Sequence, residues 1–186
     1  MPCPRNDATM TDLHHRRSTR LGGYDYSTEG AYFVTITTYR RTFLFGEILE
    51  GLPSLNQYGR YVQECWQEMP VHSADVQCDA FIVMPNHIHG IVIFSGVGTG
   101  KVRARHALPL QRDFGRPPAN SLHSVVGSFK SAAARRINIL RGTPAAPVWQ
   151  RNYYERVIRN EGELYAFREY IKANPTNWQS DEEFVL

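Results

Sequence analysis

Two short motifs in this 186-residue chain bring together side chains that are able to bind a metal ion. His87 and His89 are separated by one residue, and Asn174 follows Tyr170 by four residues. Residues two positions apart point to the same face of a β-strand, and residues four apart are neighbours on a helix. The first spacing therefore predicts half of a metal site on a strand, with an asparagine amide oxygen as a candidate third ligand.

The donor set indicates which metal would be bound. Two imidazoles and one amide oxygen leave coordination positions open for water and phosphate oxygens, which suits Mg²⁺ or Mn²⁺ better than a closed zinc site. A simpler interpretation remains for each motif. The histidines would then be polar residues on a half-exposed sheet face, and Tyr170 an amphipathic tyrosine with its hydroxyl in water.

Hydrophobic periodicity predicts the elements that position these residues. Segments rich in β-branched and aromatic residues predict strands over residues 31–38, 76–84 and 87–94, and Pro85-Asn86 separates the last two into a hairpin. Helical spacing of apolar residues predicts a helix over residues 54–68. Gly90, directly after His89, is expected to let another backbone or a phosphate approach the strand closely.

The second half of the chain completes a recognisable order. Ser121 is a candidate cap for a helix that extends to about Leu140, part of residues 148–158 is predicted as a strand, and a last helix covers residues 161–173. The order β-α-β-β-α-β-α predicts an α+β fold, an antiparallel ferredoxin-like (RRM-like) sheet with a C-terminal helix. In that topology the strand with the two histidines is central.

Composition and charge limit the class of protein and its partners. We expect a flexible basic arm over residues 1–23, one domain over residues 24–178 with a basic loop at about residues 95–120, and an acidic tail over residues 179–186. The basic amino-terminal two-thirds favours a polyanion as partner. No apolar run is long enough to span a membrane, and three dispersed cysteines fit a reduced cytoplasm.

Longer segments around the two motifs resemble a known family. MPNHIHGIVIF resembles the HUH motif, histidine–hydrophobic–histidine, of single-strand DNA endonucleases. The C-terminal VWQRNYYERVIRNEGELYAFREYIKANPTNW is similar to the REP-associated tyrosine transposases, and RLGGYDYSTEGAYFVTITTYRRTFLFGEI and SVVGSFKSAAARRIN resemble the same family. The resemblance covers roughly residues 18–178.

The resemblance implies an activity and assigns roles within it. His87 and His89 correspond to the HUH metal ligands, Tyr170 to the nucleophile, and Asn174 to the third ligand. The implied activity is metal-dependent cleavage of single-stranded DNA beside hairpin-forming repeats, through a covalent 5′-phosphotyrosine and a free 3′-hydroxyl. The implied protein is a monomer or a homodimer. The predicted DNA-binding residues are Lys130, Arg135, Arg136 and Arg20, on a helix and in the arm.

Two other functions stay open at this point. An RRM-like sheet also describes a nucleic-acid-binding module that does not cleave. A metal-dependent phosphodiesterase that activates water would use the histidines and leave Tyr170 without a chemical role. Covalent linkage of DNA to tyrosine separates the transposase-like enzyme from both.

Overall fold

A computed structural model describes residues 29–95 and 121–180 of the chain. In these ranges the strands are β1 (Gly30–Thr37), β2 (Gly46–Leu49), β3 (Leu52–Leu55), β4 (Val76–Val83), β5 (His87–Phe94) and β6 (Tyr154–Ile158). The helices are α1 (Gln57–Gln67), α2 (Met69–His72), α3 (Leu122–Leu140) and α4 (Glu161–Ala173). Short 3-10 turns cover Tyr39–Arg41 and Trp178–Ser180.

Four strands form an antiparallel sheet in the order β4-β5-β1-β6. The first and third strands of this sheet along the chain are therefore central, as the ferredoxin-like topology requires. The predicted α+β fold and the central position of the histidine strand are both confirmed.

The two faces of the sheet are covered by different helices. Alternate residues of β1 and β5, such as Val34 and Ile88, face the main core, which also contains apolar side chains of α1 and α3. The intervening residues, such as Phe33 and Ile91, form a smaller cluster with Ile171 of α4. We call these the α1/α3 face and the α4 face. His87 and His89 lie on the α4 face, because they alternate with Ile88.

Polar caps define where the three long helices begin. The side chain of Asn56 accepts from the backbone amides of Tyr58 and Gly59 ahead of α1. Ser121 accepts from the amide of Ser124 at 3.3 Å, as the sequence predicts, and Asn160 accepts from the amide of Glu163 at 2.9 Å. These caps satisfy amides that have no partner inside a helix.

The structure differs from the sequence-based prediction at a missed hairpin and at the start of the first helix. A two-stranded hairpin, β2–β3, was not predicted, and it includes Ser54 and Leu55 because their backbones pair with Glu47 and Gly46. The first helix consequently begins at Gln57 and not at residue 54. Part of residues 148–158 forms a strand as predicted, namely β6, whereas residues 148–150 run beside the end of β1, where the amide of Gln150 donates to the carbonyl of Thr37.

The structural need for glycine at position 90 differs from the one that the sequence suggested. A Cβ atom there would lie 2.4 Å from the indole ring of Trp66. The close neighbour is therefore a core side chain from α1 on the α1/α3 face, and the expectation of a backbone or phosphate at this position was wrong.

Several predicted segments lie outside the described residues. These are the arm over residues 1–23 with Arg20, most of the loop at residues 95–120, and nearly all of the tail over residues 179–186. Among the helices that the structure does describe, none has the length and apolar character needed to cross a membrane.

Candidate active site

The turn before β5 is held from two sides, and this fixes where the first histidine stands. The backbone amide of Thr38 donates to the carbonyl of Asn86 at 2.8 Å. The amides of Leu44 and Phe45 both donate to the carbonyl of Pro85, at 2.8 and 3.0 Å. His87 thus begins its strand at a turn that the segment after β1 clamps through backbone hydrogen bonds.

The two imidazoles converge on one point. His87 and His89 are both buried, and their Nε2 atoms lie 3.0 Å apart. Two nitrogen donors that share a metal ion at about 2.1 Å, at a right angle, would be about 3.0 Å apart. The prediction that both side chains share one face of a central strand is confirmed.

The Nδ1 atom of each imidazole is occupied by a polar neighbour. His87 Nδ1 donates to the amide oxygen of Asn86 at 2.8 Å, and His89 Nδ1 lies 2.9 Å from the hydroxyl of Thr35, its cross-strand partner on β1. With a proton on Nδ1, the lone pair of a neutral imidazole is on Nε2. Because the amide oxygen of Asn86 only accepts, it favours the His87 tautomer whose Nε2 would bind a metal, and the Thr35 hydroxyl is able to accept from His89 Nδ1 in the same way.

Tyr170 reaches the same point from α4. Its hydroxyl lies 3.4 Å from His89 Nε2, and its ring packs against the imidazole at 5.1 Å between centroids. Nearly half of the side chain is exposed, at 46 %. Tyr170 thus presents its hydroxyl to the buried imidazole pair from a residue that is itself partly exposed.

Phe33 sets the position of α4 over the histidines. Its ring stacks on His89 at 5.4 Å on β5 and on Phe167 at 4.5 Å on α4. Phe167 is one turn before Tyr170, so this stack fixes the helix at the height that brings the Tyr170 hydroxyl to His89.

Asn174 directly follows α4 and is buried, with 3 % of its surface exposed. It stands four residues after Tyr170, which packs on His89, and four residues before Trp178, whose ring lies 5.8 Å from that of His87. The segment from Tyr170 to Trp178 therefore passes both imidazoles with Asn174 at its middle. A role for Asn174 as a metal ligand stays a prediction.

Among the described residues, no His, Cys, Asp or Glu side chain joins the imidazole pair as a third metal ligand. The predicted third ligand, Asn174, would bind through its amide oxygen. Such a set leaves several positions for water or phosphate oxygens.

An ion pair ties α4 to the far edge of the sheet. The guanidinium of Arg168 donates to both carboxylate oxygens of Asp79 on β4, at 2.9 and 2.5 Å. The hydrogen bond from Arg168 lowers the pKa of Asp79. The ionised carboxylate thus helps to hold α4 in the orientation that presents Tyr170.

The predicted DNA-binding residues of α3 lie on the opposite face of the sheet. The Lys130 ammonium donates to the carbonyls of Gln150, Arg151 and Asn152, at 2.7, 3.1 and 3.5 Å, and burial lowers its pKa to about 8. Arg136 pairs with Glu68 at 2.7 Å, whereas Arg135 is exposed. DNA contact by these residues stays a prediction, and Arg20 lies outside the described ranges.

The residues that support the histidines were not predicted from the sequence. Asn86 follows Pro85 at the break before β5, and Thr35 and Phe33 lie within the predicted strand over residues 31–38. Asn86 could have been noticed because it is adjacent to His87, but Thr35 and Phe33 depend on the register of β1 against β5. One sequence without its pairing register does not give that information.

Comparisons with known proteins define the fold and the family. A solved REP-associated tyrosine transposase bound to a REP hairpin aligns with a TM-score of 0.55 at 16 % identity, over 87 % of this chain and 74 % of that one. A candidate transposase from Deinococcus radiodurans aligns with 16 % identity over 83 % of this chain and 96 % of its own, but its TM-score of 0.44 supports no argument. No family model matches the chain.

The described residues therefore have the fold of a REP-associated tyrosine transposase, and the predicted resemblance is confirmed at the level of the fold. An uncharacterized protein of Haemophilus influenzae is 37 % identical over 177 residues, which is 93 % of this chain and 95 % of that protein. The chain belongs to the same family as this protein.

Proposed function

We propose that the chain is a metal-dependent single-strand DNA endonuclease and strand transferase, with Tyr170 as nucleophile. The observation that carries the proposal is the placement of the Tyr170 hydroxyl 3.4 Å from Nε2 of His89, which lies 3.0 Å from Nε2 of His87. The fold that the chain shares with a hairpin-bound transposase supports single-stranded DNA with hairpins as the substrate.

The proposed metal site consists of His87, His89 and Asn174. A divalent ion bound there, Mg²⁺ or Mn²⁺, would supply Lewis-acid polarisation of the scissile phosphate. Asn86 and Thr35 keep the Nε2 atoms available, and the Phe33 stack keeps Tyr170 at the site. Because both imidazoles are buried, bulk solvent has little access to their nitrogens.

The covalent step replaces one phosphodiester bond by another. The phenolic oxygen of Tyr170 forms a bond to phosphorus, and the bond from phosphorus to the 3′-oxygen breaks. The phenol loses one proton and the 3′-oxygen gains one, so the products are a 5′-phosphotyrosine and a free 3′-hydroxyl. Because the phosphodiester is conserved, attack by a second 3′-hydroxyl rejoins the strand without ATP.

A cleavage assay on a denaturing gel tests the proposal. The substrate is a labelled DNA hairpin with a single-stranded tail, incubated with Mg²⁺ or Mn²⁺. We expect a cut tail and a slow protein-linked band with the unaltered protein, and neither with Tyr170→Phe. Tyr165→Phe is the matched control, because Tyr165 lies on the same helix and is 65 % exposed. Cleavage by Tyr170→Phe at the normal rate would instead indicate an activated-water phosphodiesterase.

A further inference from the structure

Tyr154 places a second exposed tyrosine on the same face of the sheet as Tyr170. It begins β6, the edge strand, and pairs with Thr35 on β1, which in turn pairs with His89 on β5. Side chains of directly paired residues share a face. Tyr154 therefore lies two strand spacings, or about 10 Å, from His89 on the α4 face.

The Tyr154 ring packs against the rest of the protein only in part. Among the described residues its one ring contact is an edge-on packing against Phe33 at 6.5 Å, and its hydroxyl makes no hydrogen bond to them. Phe33 is already stacked between His89 and Phe167, and 45 % of Tyr154 is exposed. A large aromatic side chain on an edge strand, beside a reactive group, is thus open to solvent.

A cation stands next to this ring on the same strand face. Arg156 follows Tyr154 by two residues, and its guanidinium lies 5.5 Å from the centre of the Phe167 ring. Its ion pair with Glu163 is long, at 3.6 Å, and about half of the Arg156 side chain is exposed. Such a weak, solvent-exposed pair contributes little stability, so the guanidinium is able to move to a phosphate.

We propose that Tyr154 stacks on a base of the single-stranded tail beside the cleaved phosphate, with Arg156 as a contact to the adjoining phosphate. This inference rests on the proposed function, because it places the base relative to Tyr170. An aromatic ring binds any base with an exposed face, whereas the bases of a duplex already stack on each other. Tyr154 thus selects single-stranded DNA and directs it toward Tyr170 without reading its sequence.

Binding to a set of abasic DNA hairpins tests this assignment. Each hairpin lacks one base of its single-stranded tail, and affinity is measured by fluorescence anisotropy. With the unaltered protein, loss of the stacked base should weaken binding about tenfold, a typical effect of one base–aromatic stack. The Tyr154→Ala variant should bind the intact tail more weakly by a similar factor. Its affinity should no longer change when the base at that position is removed.

Two variants separate stacking from support of the fold. Tyr154→Phe keeps the ring and should bind as the unaltered protein does, whereas Tyr154→Leu covers Phe33 without a π-face and should behave as Tyr154→Ala. Tyr165→Ala, an exposed tyrosine on α4, should not change the abasic pattern. Normal binding by Tyr154→Ala, or weaker binding that still responds to the same abasic position, overturns the assignment.

The same reactions distinguish this proposal from the one on which it rests. Adduct formation by the unaltered protein is scored on denaturing gels in parallel. If an adduct forms but no abasic position depends on Tyr154, the nuclease proposal holds and the stacking proposal is wrong. If an abasic position depends on Tyr154 but no adduct forms, Tyr154 contacts DNA and the nuclease proposal is wrong.

Discussion

The two faces of the central sheet are built for different purposes. The α1/α3 face is closed by large apolar side chains, with the Trp66 indole pressed against Gly90 and stacked on Phe81 at 4.4 Å. The α4 face has a small apolar cluster next to buried polar residues, among them His87 and His89. Buried polar groups are retained only where hydrogen bonds or ligands compensate for lost water. The first face therefore stabilises the fold, and the second, in the proposed function, positions the reactive groups.

The largest effect that this comparison predicts is on chemistry alone. His87→Ala removes one of the two imidazoles on the α4 face, and we expect cleavage to fall about 1000-fold, since Lewis-acid stabilisation of phosphoryl transfer is worth several kcal/mol. Hairpin binding, measured by anisotropy, should remain within a few-fold of the unaltered value. Strong cleavage by His87→Ala would show that the imidazole pair is not the reactive centre.

On the α1/α3 face we expect a substitution to change stability. Gly90→Ala directs a Cβ into the rigid Trp66 ring, so the free energy of unfolding should fall by about 3 kcal/mol, the upper range for overpacking. The measurement is urea denaturation followed by tryptophan fluorescence. Gly127→Ala is the matched control, because nothing lies within 4 Å of its added Cβ. Equal stability of the two variants would contradict the packing of the α1/α3 face.

A smaller effect tests how the histidines are oriented. Thr35→Val removes the hydroxyl beside His89 Nδ1 and keeps the shape of the side chain. We expect metal affinity, measured by calorimetry with Mn²⁺, to fall about 10- to 100-fold, the range for a partner that orients a metal ligand. Thr35→Ser keeps the hydroxyl and should bind Mn²⁺ normally. The idea fails if the valine and serine variants bind Mn²⁺ equally well.

The smallest predicted effect is the contribution of Lys130 to the pH dependence of the free energy of unfolding. Burial lowers its pKa to about 8 in the folded state, against 10.5 for a lysine in water. Between these values the unfolded chain binds more protons, so the free energy of unfolding rises with pH. Relative to Lys130→Met, the unaltered protein should gain on the order of 1 kcal/mol from pH 8 to 10, a figure discounted for partial exposure. Parallel pH curves from chemical denaturation would contradict this.

The sequence predicts the elements better than it predicts their contacts. The bounds of β5 and the Ser121 cap of α3 follow from the Pro85-Asn86 break, residue content and capping chemistry, which are local. The β2–β3 hairpin was missed, because its eight strand residues are too few for a clear period. The prediction of what lies next to Gly90 was wrong for a related reason, since Trp66 contacts Gly90 only through the packing of α1 on the sheet.

The candidate site shows the same division. The spacings of His87 with His89 and of Tyr170 with Asn174 are visible in the sequence, and the first pair converges as predicted. That Tyr170 meets His89 depends on how α4 crosses the sheet, which the Phe33 stack and the Arg168–Asp79 pair determine. These are long-range contacts between distant parts of the chain, and no local pattern specifies them.

The most direct test of the central claim is to identify the residue that becomes linked to DNA. The protein is incubated with hairpin DNA and Mn²⁺ and digested, and the DNA-linked peptide is sequenced by mass spectrometry. The geometry predicts one adduct, on Tyr170, whose hydroxyl lies 3.4 Å from His89 Nε2. An adduct on Tyr153, Tyr154 or Tyr165, or cleavage without any adduct, would contradict the account.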